Sequence, residues 1–113
     1  MNLDDLTIRE AKQLAQMFGN TDAVDNPYEI GKNYFIRTVT MALVGTLKAV
    51  GKQELTLEDA AWVANTGRFG DFLRDGEKVV DEVEPFPDGK VFIGRGSIID
   101  VTEWGHKPLR KQK

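Results

Sequence analysis

The sequence predicts an α+β protein that is mainly β: an N-terminal helix followed by a small five-stranded antiparallel barrel. Three observations carry this reading. Residues 33–60 hold three runs rich in β-branched and aromatic residues, with breaks as short as Gly51-Lys52-Gln53. Such runs between tight turns are the pattern of an antiparallel meander. Residues 90–104 hold two more short runs around Gly94-Arg95-Gly96, while residues 4–18 carry helical periodicity.

In the helix, Thr7 and Glu10 have the spacing of a capping box. Ile8, Ala11, Leu14, Ala15 and Phe18 form one apolar face, and Gly19-Asn20 supplies the stop. Residues 21–31 are a polar connection in which Asn26-Pro27 favours a turn over helix.

The first strand, 33–40, places Tyr34, Ile36, Thr38 and Thr40 on one face, with Phe35, Arg37, Val39 and Met41 on the other. Both faces are partly apolar, which predicts an interior strand. In the second run, 41–50, Gly45 marks a bend or bulge of the kind small barrels need at their corners. The third run covers 54–60.

Residues 61–84 read as an insertion that leaves the sheet at Trp62, forms a helical turn or two at 68–74 and adds a short extended piece over 79–84. Loops on rigid scaffolds commonly carry function. Pro85 to Gly89 forms a stiff turn with an Asp-Gly hairpin signal. The chain is thus one domain over 1–104, with a flexible basic tail at 105–113.

The net charge is −3, but the tail contains Lys107, Arg110, Lys111 and Lys113. Without these four, 11 Lys and Arg face 18 Asp and Glu, a balance of −7. An acidic body disfavours long nucleic acids, which are held largely through clustered cations. A small anionic ligand needs only a few well-placed ones. With no cysteine, disulfides and thiolate chemistry are excluded. The acidic N-terminus lacks signal-peptide order, and no apolar run approaches the ~20 residues of a membrane helix. A cytoplasmic protein without membrane contact is expected.

Catalytic residues are not expected. His106 is the sole histidine and lies in the tail, and Ser97, the sole serine, has no neighbouring base in sequence. The acidic groups Glu58-Asp59 and Asp81, Glu82, Glu84 match no calcium-loop spacing and read as solvated charge. No metal or cofactor is predicted.

The candidate ligand-binding residues are Arg37, Trp62, Arg68, Arg95, Gly96 and Trp104. Arg37 lies in an apolar-aromatic strand, where its guanidinium needs a partner, either a carboxylate such as Glu58 or Asp59 or a ligand phosphate. Arg95 stands between two glycines that let a ligand approach, unless it is simply an exposed turn arginine. Arg68 is a clamp candidate within the insertion. Trp62 and Trp104 offer faces for base stacking, against the ordinary alternative of core or interface packing. These groups suit a small nucleotide that is held without being transformed.

Nearly the whole length, through Leu6 to Ala11, Gly31 to Thr40, Leu57 to Trp62, Glu82 to Gly89 and Ile93 to Ile98, resembles a family of small uncharacterised proteins encoded by bacteriophages and prophages. Joined to the missing catalytic groups, the acidic body and the few arginines set among Gly and Trp, a phage source with the host cytoplasm as location leads to the expectation of a protein that evades antiphage immunity by sequestering its nucleotide signal. The resemblance itself implies the source and no settled activity. It assigns no site residues.

A weaker resemblance is to the Sm-like and SH3-like barrels, through Gly45 to Val50, Leu55 to Ala60 and Arg95-Gly96. It implies a ring that binds RNA bases, with Arg95 and Gly96 lining the site. The base-binding Asn of that pattern is missing from Gly51 to Glu54. Free edges of a small sheet favour self-assembly, so a homo-oligomer is expected. The alternatives to nucleotide capture are an RNA-binding ring and a phage structural or regulatory protein that contacts another protein.

Overall fold

The computed structural model describes residues 26–113; the helix expected over 4–18 lies outside them. The described chain is mainly β. Its strands are β1 (Asn33–Thr38), β2 (Ala42–Val50), β3 (Glu54–Asn65), β4 (Glu82–Pro85), β5 (Val91–Gly94) and β6 (Ile98–Glu103). One short helix, α1 (Phe69–Asp75), falls between β3 and β4.

All pairings are antiparallel, and the order along the sheet is β4-β3-β2-β1-β6. β5 pairs with the first half of β3 (Leu55↔Ile93), and β4 with its second half (Val63↔Val83). This corrects the expected five-stranded barrel. Among the described residues there are six strands, the helix is mid-chain, and no ladder joins β6 to β4 or β5, so the sheet is open. The missed strand arises from the length of β3. It runs on through Trp62 to Asn65, where the sequence reading had it leaving the sheet, and so templates two short strands in succession.

β1 is an interior strand between β2 and β6 and is buried on both faces, with Tyr34, Phe35 and Ile36 at 3%, 1% and 0% exposure. Tyr34 and Ile36 join Leu43, Leu47, Leu55, Leu57, Ala60 and Ile93 in one core. Phe35 joins a second core with Val44, Val63, Phe72, Val83, Trp104 and Leu109 on the opposite face. Burying each large apolar side chain contributes roughly 1.5–3 kcal/mol, so both faces of the strand hold it.

The register of β2 against β3 slips by one residue between Val44 and Thr46, around Gly45. Opposite, Asp59 takes a left-handed φ of 50°. The extra residue bends β3 there. The backbone of Gly89 lies against the bend, and a Cβ on Gly89 would sit 2.9 Å from the Asp59 nitrogen.

Residues 105–113, expected as a flexible tail, pack across the second core. Leu109 is 2% exposed. The backbone N–H of Lys113 donates to Val83 O (2.9 Å), and that of Val83 donates to Lys113 O (3.0 Å). The Arg110 guanidinium donates to Ala60 O (2.8 Å) and Phe86 O (3.0 Å). The segment thus crosses from the end of β6 to the outer edge of β4. Tail charge concealed this from the sequence reading, which weighed its cations and overlooked the single leucine.

Candidate functional site

The six residues singled out in the sequence occupy different places, and the first is the outer face of β1. Arg37 pairs with Asp100 of β6, its cross-strand neighbour, with Nε donating to Oδ1 at 2.8 Å and Nη2 to Oδ2. The expected carboxylates Glu58 and Asp59 are not its partners; Glu58 instead lies 3.9 Å from Lys48. The Arg37–Asp100 hydrogen bonds hold the Asp100 carboxyl below its usual range and raise the guanidinium further above its own. The Arg37 guanidinium carbon also stands 5.2 Å from the centre of the Phe69 ring. Cation–π contacts of this kind are favourable, so Arg37 is engaged on two sides by its own chain.

Phe69 opens an aromatic series on this face. Its ring lies 6.0 Å from Phe35, Phe35 5.1 Å from Phe72, Phe72 4.7 Å from Trp104, and Trp104 4.8 Å from His106. Trp104 is therefore core, at 3% exposure, and its indole N–H donates to Lys107 O at 3.0 Å. It offers no face to a ligand. His106 Nε2 donates to Leu73 O (2.9 Å), satisfying a carbonyl in the last turn of α1. The helix ends at Gly76, where φ is 65° and a Cβ would lie 2.9 Å from the His106 ring. Only glycine fits both constraints. Arg68 is exposed and precedes α1 without a side-chain capping bond.

Trp62 is a different case. It lies on β3 opposite Leu43 and Glu84, and 41% of it is exposed. Its neighbours Ala61 and Val63 point into the Phe35 core, which leaves Trp62 on the other face.

Arg95 and Gly96 form a third place. They lie in a 3₁₀ turn (Arg95–Ser97) between β5 and β6. The Arg95 backbone N–H donates to Gln53 O (2.8 Å), and its Nη1 donates to Gly51 O (2.9 Å). Both acceptors belong to the β2–β3 turn, which fixes the half-buried arginine from below. The guanidinium carbon is 5.8 Å from the centre of the Tyr28 ring. Tyr28 packs edge-on against Tyr34, so this corner belongs to the Tyr34 side of β1. No other hydrogen bond engages the guanidinium among the described residues. A Cβ on Gly94 or Gly96 would meet nothing within 4 Å, so the approach on both sides is open.

Arg37 and Arg95 therefore lie on opposite faces of β1, and within one chain the arginines do not share a pocket. Sequence reasoning missed Tyr28 and Phe69, the two rings against which these guanidinium groups lie. Phe69 had a signal in its position beside Arg68; Tyr28 had none beyond its place after the Asn26-Pro27 turn. Among the described residues no three His, Asp or Glu side chains gather as metal ligands, and no helix is long and apolar enough to cross a membrane. Comparison with protein-family models, with curated proteins and with solved structures finds no match to this chain.

Proposed function

We propose that this chain is a non-enzymatic, homo-oligomeric binding protein that sequesters a small nucleotide at the Arg95 corner. In the phage setting implied by the sequence resemblance, the ligand is a cyclic oligonucleotide of the kind that signals antiphage immunity in the host. The observation that carries the reading is the state of Arg95. Its guanidinium is anchored by Gly51 O, backed by the Tyr28 ring, and flanked by two glycines with open space around them. A guanidinium whose position is already fixed loses little side-chain freedom on meeting a phosphate, and its remaining N–H groups suit paired phosphate oxygens. Tyr28 adds an aromatic ring beside the same guanidinium, and Trp62 a half-exposed indole elsewhere on the surface.

Calorimetry against cyclic di- and trinucleotides and cyclised ADP-ribose tests the reading. Heat with one member, lost in Arg95→Ala, is the expected result. No heat with any member overturns it. Binding to short single-stranded RNA that weakens steeply with salt would transfer the corner to RNA.

One observation favours a second reading, contact with another protein. Val39 (70% exposed), Met41 (41%), Phe69 (41%) and Ile99 (64%) are large apolar side chains near the Arg37–Asp100 pair. Apolar groups around a charged pair that is already satisfied suit a protein surface. Co-purification of one partner without nucleotide would select it.

A further inference from the structure

We infer that the outer edge of β6 is a self-pairing surface, on which β6 of a second copy of this chain adds antiparallel about a twofold axis centred on Val101. The inference rests on the oligomeric part of the function proposed above and is independent of its nucleotide part.

The hydrogen-bond directions along β1 define the edge. Leu47 N–H donates to Lys32 O, so the even-numbered residues of β1 bond to β2. Trp104 N–H donates to Asn33 O, so the odd-numbered ones bond to β6. Residues 100, 102 and 104 consequently turn their backbone groups inward. The β1–β6 register shifts between Arg37 and Thr38, which leaves Ile99 as the extra residue of a bulge; beyond it the N–H and C=O groups of Val101 and Glu103 point outward, and among the described residues no strand meets them. The opposite margin of the sheet differs, because Val83 of β4 has its outward groups taken by Lys113.

Side-chain chemistry supports pairing at this edge. Natural edges are commonly blunted by lysine, proline, uncompensated charge or a bulge; the bulge of β6 lies at its start, at Ile99, and leaves Val101 to Glu103 in regular register with β1. β6 reads Ile98-Ile99-Asp100-Val101-Thr102-Glu103, without lysine or proline. Its two carboxylates are already matched by cations of the same chain, Asp100 by Arg37 and Glu103 by Lys32 (3.1 Å). The edge therefore carries little net charge to repel a copy of itself. Ile99, 64% exposed, would gain cover from the partner.

Charge also excludes two registers. Centring the twofold on Asp100 sets two aspartates opposite each other, and centring it on Glu103 does the same with two glutamates. Like charges directly opposed are destabilising. With the axis at Val101, Val101 faces its own copy, Asp100 faces Thr102 and Ile99 faces Glu103. This register also sets Val101, whose backbone groups point outward, at the hydrogen-bonded centre of the pair.

The absence of native cysteine makes the register directly testable. Val101 residues in a hydrogen-bonded antiparallel pair would have Cα atoms about 5.5 Å apart, inside the range that a disulfide spans. Val101→Cys, oxidised without any nucleotide, should double in mass on a non-reducing gel and revert on reduction. Glu103→Cys should stay monomeric on the gel, because its copy lies four residues away along the strand. Cross-linking of Glu103→Cys as readily as Val101→Cys would overturn the inference. Wild-type protein that sediments as a monomer at micromolar concentration would overturn both this inference and the oligomeric part of the proposed function. An oligomer whose Val101→Cys form is folded yet does not cross-link would remove only the β6 assignment. Should Val101→Cys fail to fold, exposed Ile99→Arg decides: it must shift wild-type dimer to monomer, and an unchanged dimer rejects the edge.

Discussion

Val83 and Lys113 exchange both backbone hydrogen bonds, at 3.0 and 2.9 Å, so the last residues of the chain lie along the outer edge of β4. Between that bridge and the end of β6 the chain crosses the whole second core. The two margins of the open sheet are thus linked by a strap of irregular backbone. Leu109 is its anchor, and Arg110 stitches it to the β3 bend through Ala60 O and to the following turn through Phe86 O.

Leu109→Ala should therefore destabilise the protein by about 2–5 kcal/mol, the range for truncating a buried leucine. Lys111→Ala, an exposed neighbour, should change stability by less than about 0.5 kcal/mol. Urea melts of the two variants make the comparison. Equal midpoints would mean that residues 105–113 contribute nothing to the core.

Gly89→Ala and Gly96→Ala form a second contrast. Gly89 has φ 75° and its Cβ position faces backbone, 2.9 Å from Asp59 N and 3.0 Å from its Cα. Neither atom can move without displacing the β3 bend, so a loss above about 1 kcal/mol is expected. Gly96 has open space, and its alanine variant should melt with the wild type. Thermal melts monitored by circular dichroism check both.

The contrast between β3 and the tail explains what the sequence could carry. Strand identity was legible at β1, β2, β5 and β6, because Tyr, Phe, Ile and Val alternate there between glycine-bearing turns. The helical turn at 69–75 and the slip around Gly45 were legible for similarly local reasons. β4 was legible only as a short extended piece over 79–84 and not as a strand of the sheet, because Glu82-Val83-Glu84-Pro85 owes its pairing to the extension of β3. Closure into a barrel was inferred from the meander, the Gly45 bend and the barrel resemblance, whereas the margins of a sheet are set by long-range pairing that local pattern does not encode. At the candidate site, residue types were legible but their convergence was not. Arg37 found Asp100, 63 residues away, rather than either carboxylate of β3.

The Arg37–Asp100 pair should leave a signature in the pH dependence of stability. Asp100 is held below its usual value of 3.8, chiefly by its hydrogen bond from Arg37. A carboxyl whose folded pKa is depressed contributes stability that is present above the unfolded pKa and lost as pH falls through the folded one. Asp100→Asn should thus melt below wild type at neutral pH, and the gap should close at acid pH, below 3.8. Both groups are half exposed, so the gap at neutral pH is small. Melting temperatures of the pair across pH 2–7 provide the check, and a gap that stays constant would show that the charge is immaterial.

The two indoles report separately on core and surface. Trp104 is sealed among Phe72, His106 and Lys107 O, while Trp62 is 41% exposed. Trp62→Phe should abolish most acrylamide quenching and leave a blue-shifted emission from Trp104. Quenching that survives unchanged in that variant would mean that the Trp104 core opens readily to solvent.

Arg95 and Arg37 provide the sharpest test of nucleotide capture, because they differ in what they still have to offer. Arg37 gives two N–H groups to Asp100 and its face to Phe69, and its charge is neutralised at contact distance. A phosphate would have to displace a carboxylate to reach it. Arg95 gives one nitrogen to a neutral carbonyl and keeps its charge unpaired among the described residues. Hydrogen bonds to a charged group contribute about 1.5–3 kcal/mol each, which corresponds to roughly ten- to a hundredfold in affinity. Arg95→Ala should weaken nucleotide binding by that factor, and Arg37→Ala should leave it within about threefold, less than the ~1.4 kcal/mol of one decade. Titration calorimetry of both variants with the nucleotide that gives heat to wild type is the measurement. The reverse ranking would move the site to the Phe69 side of β1 and leave the Arg95 corner a structural turn.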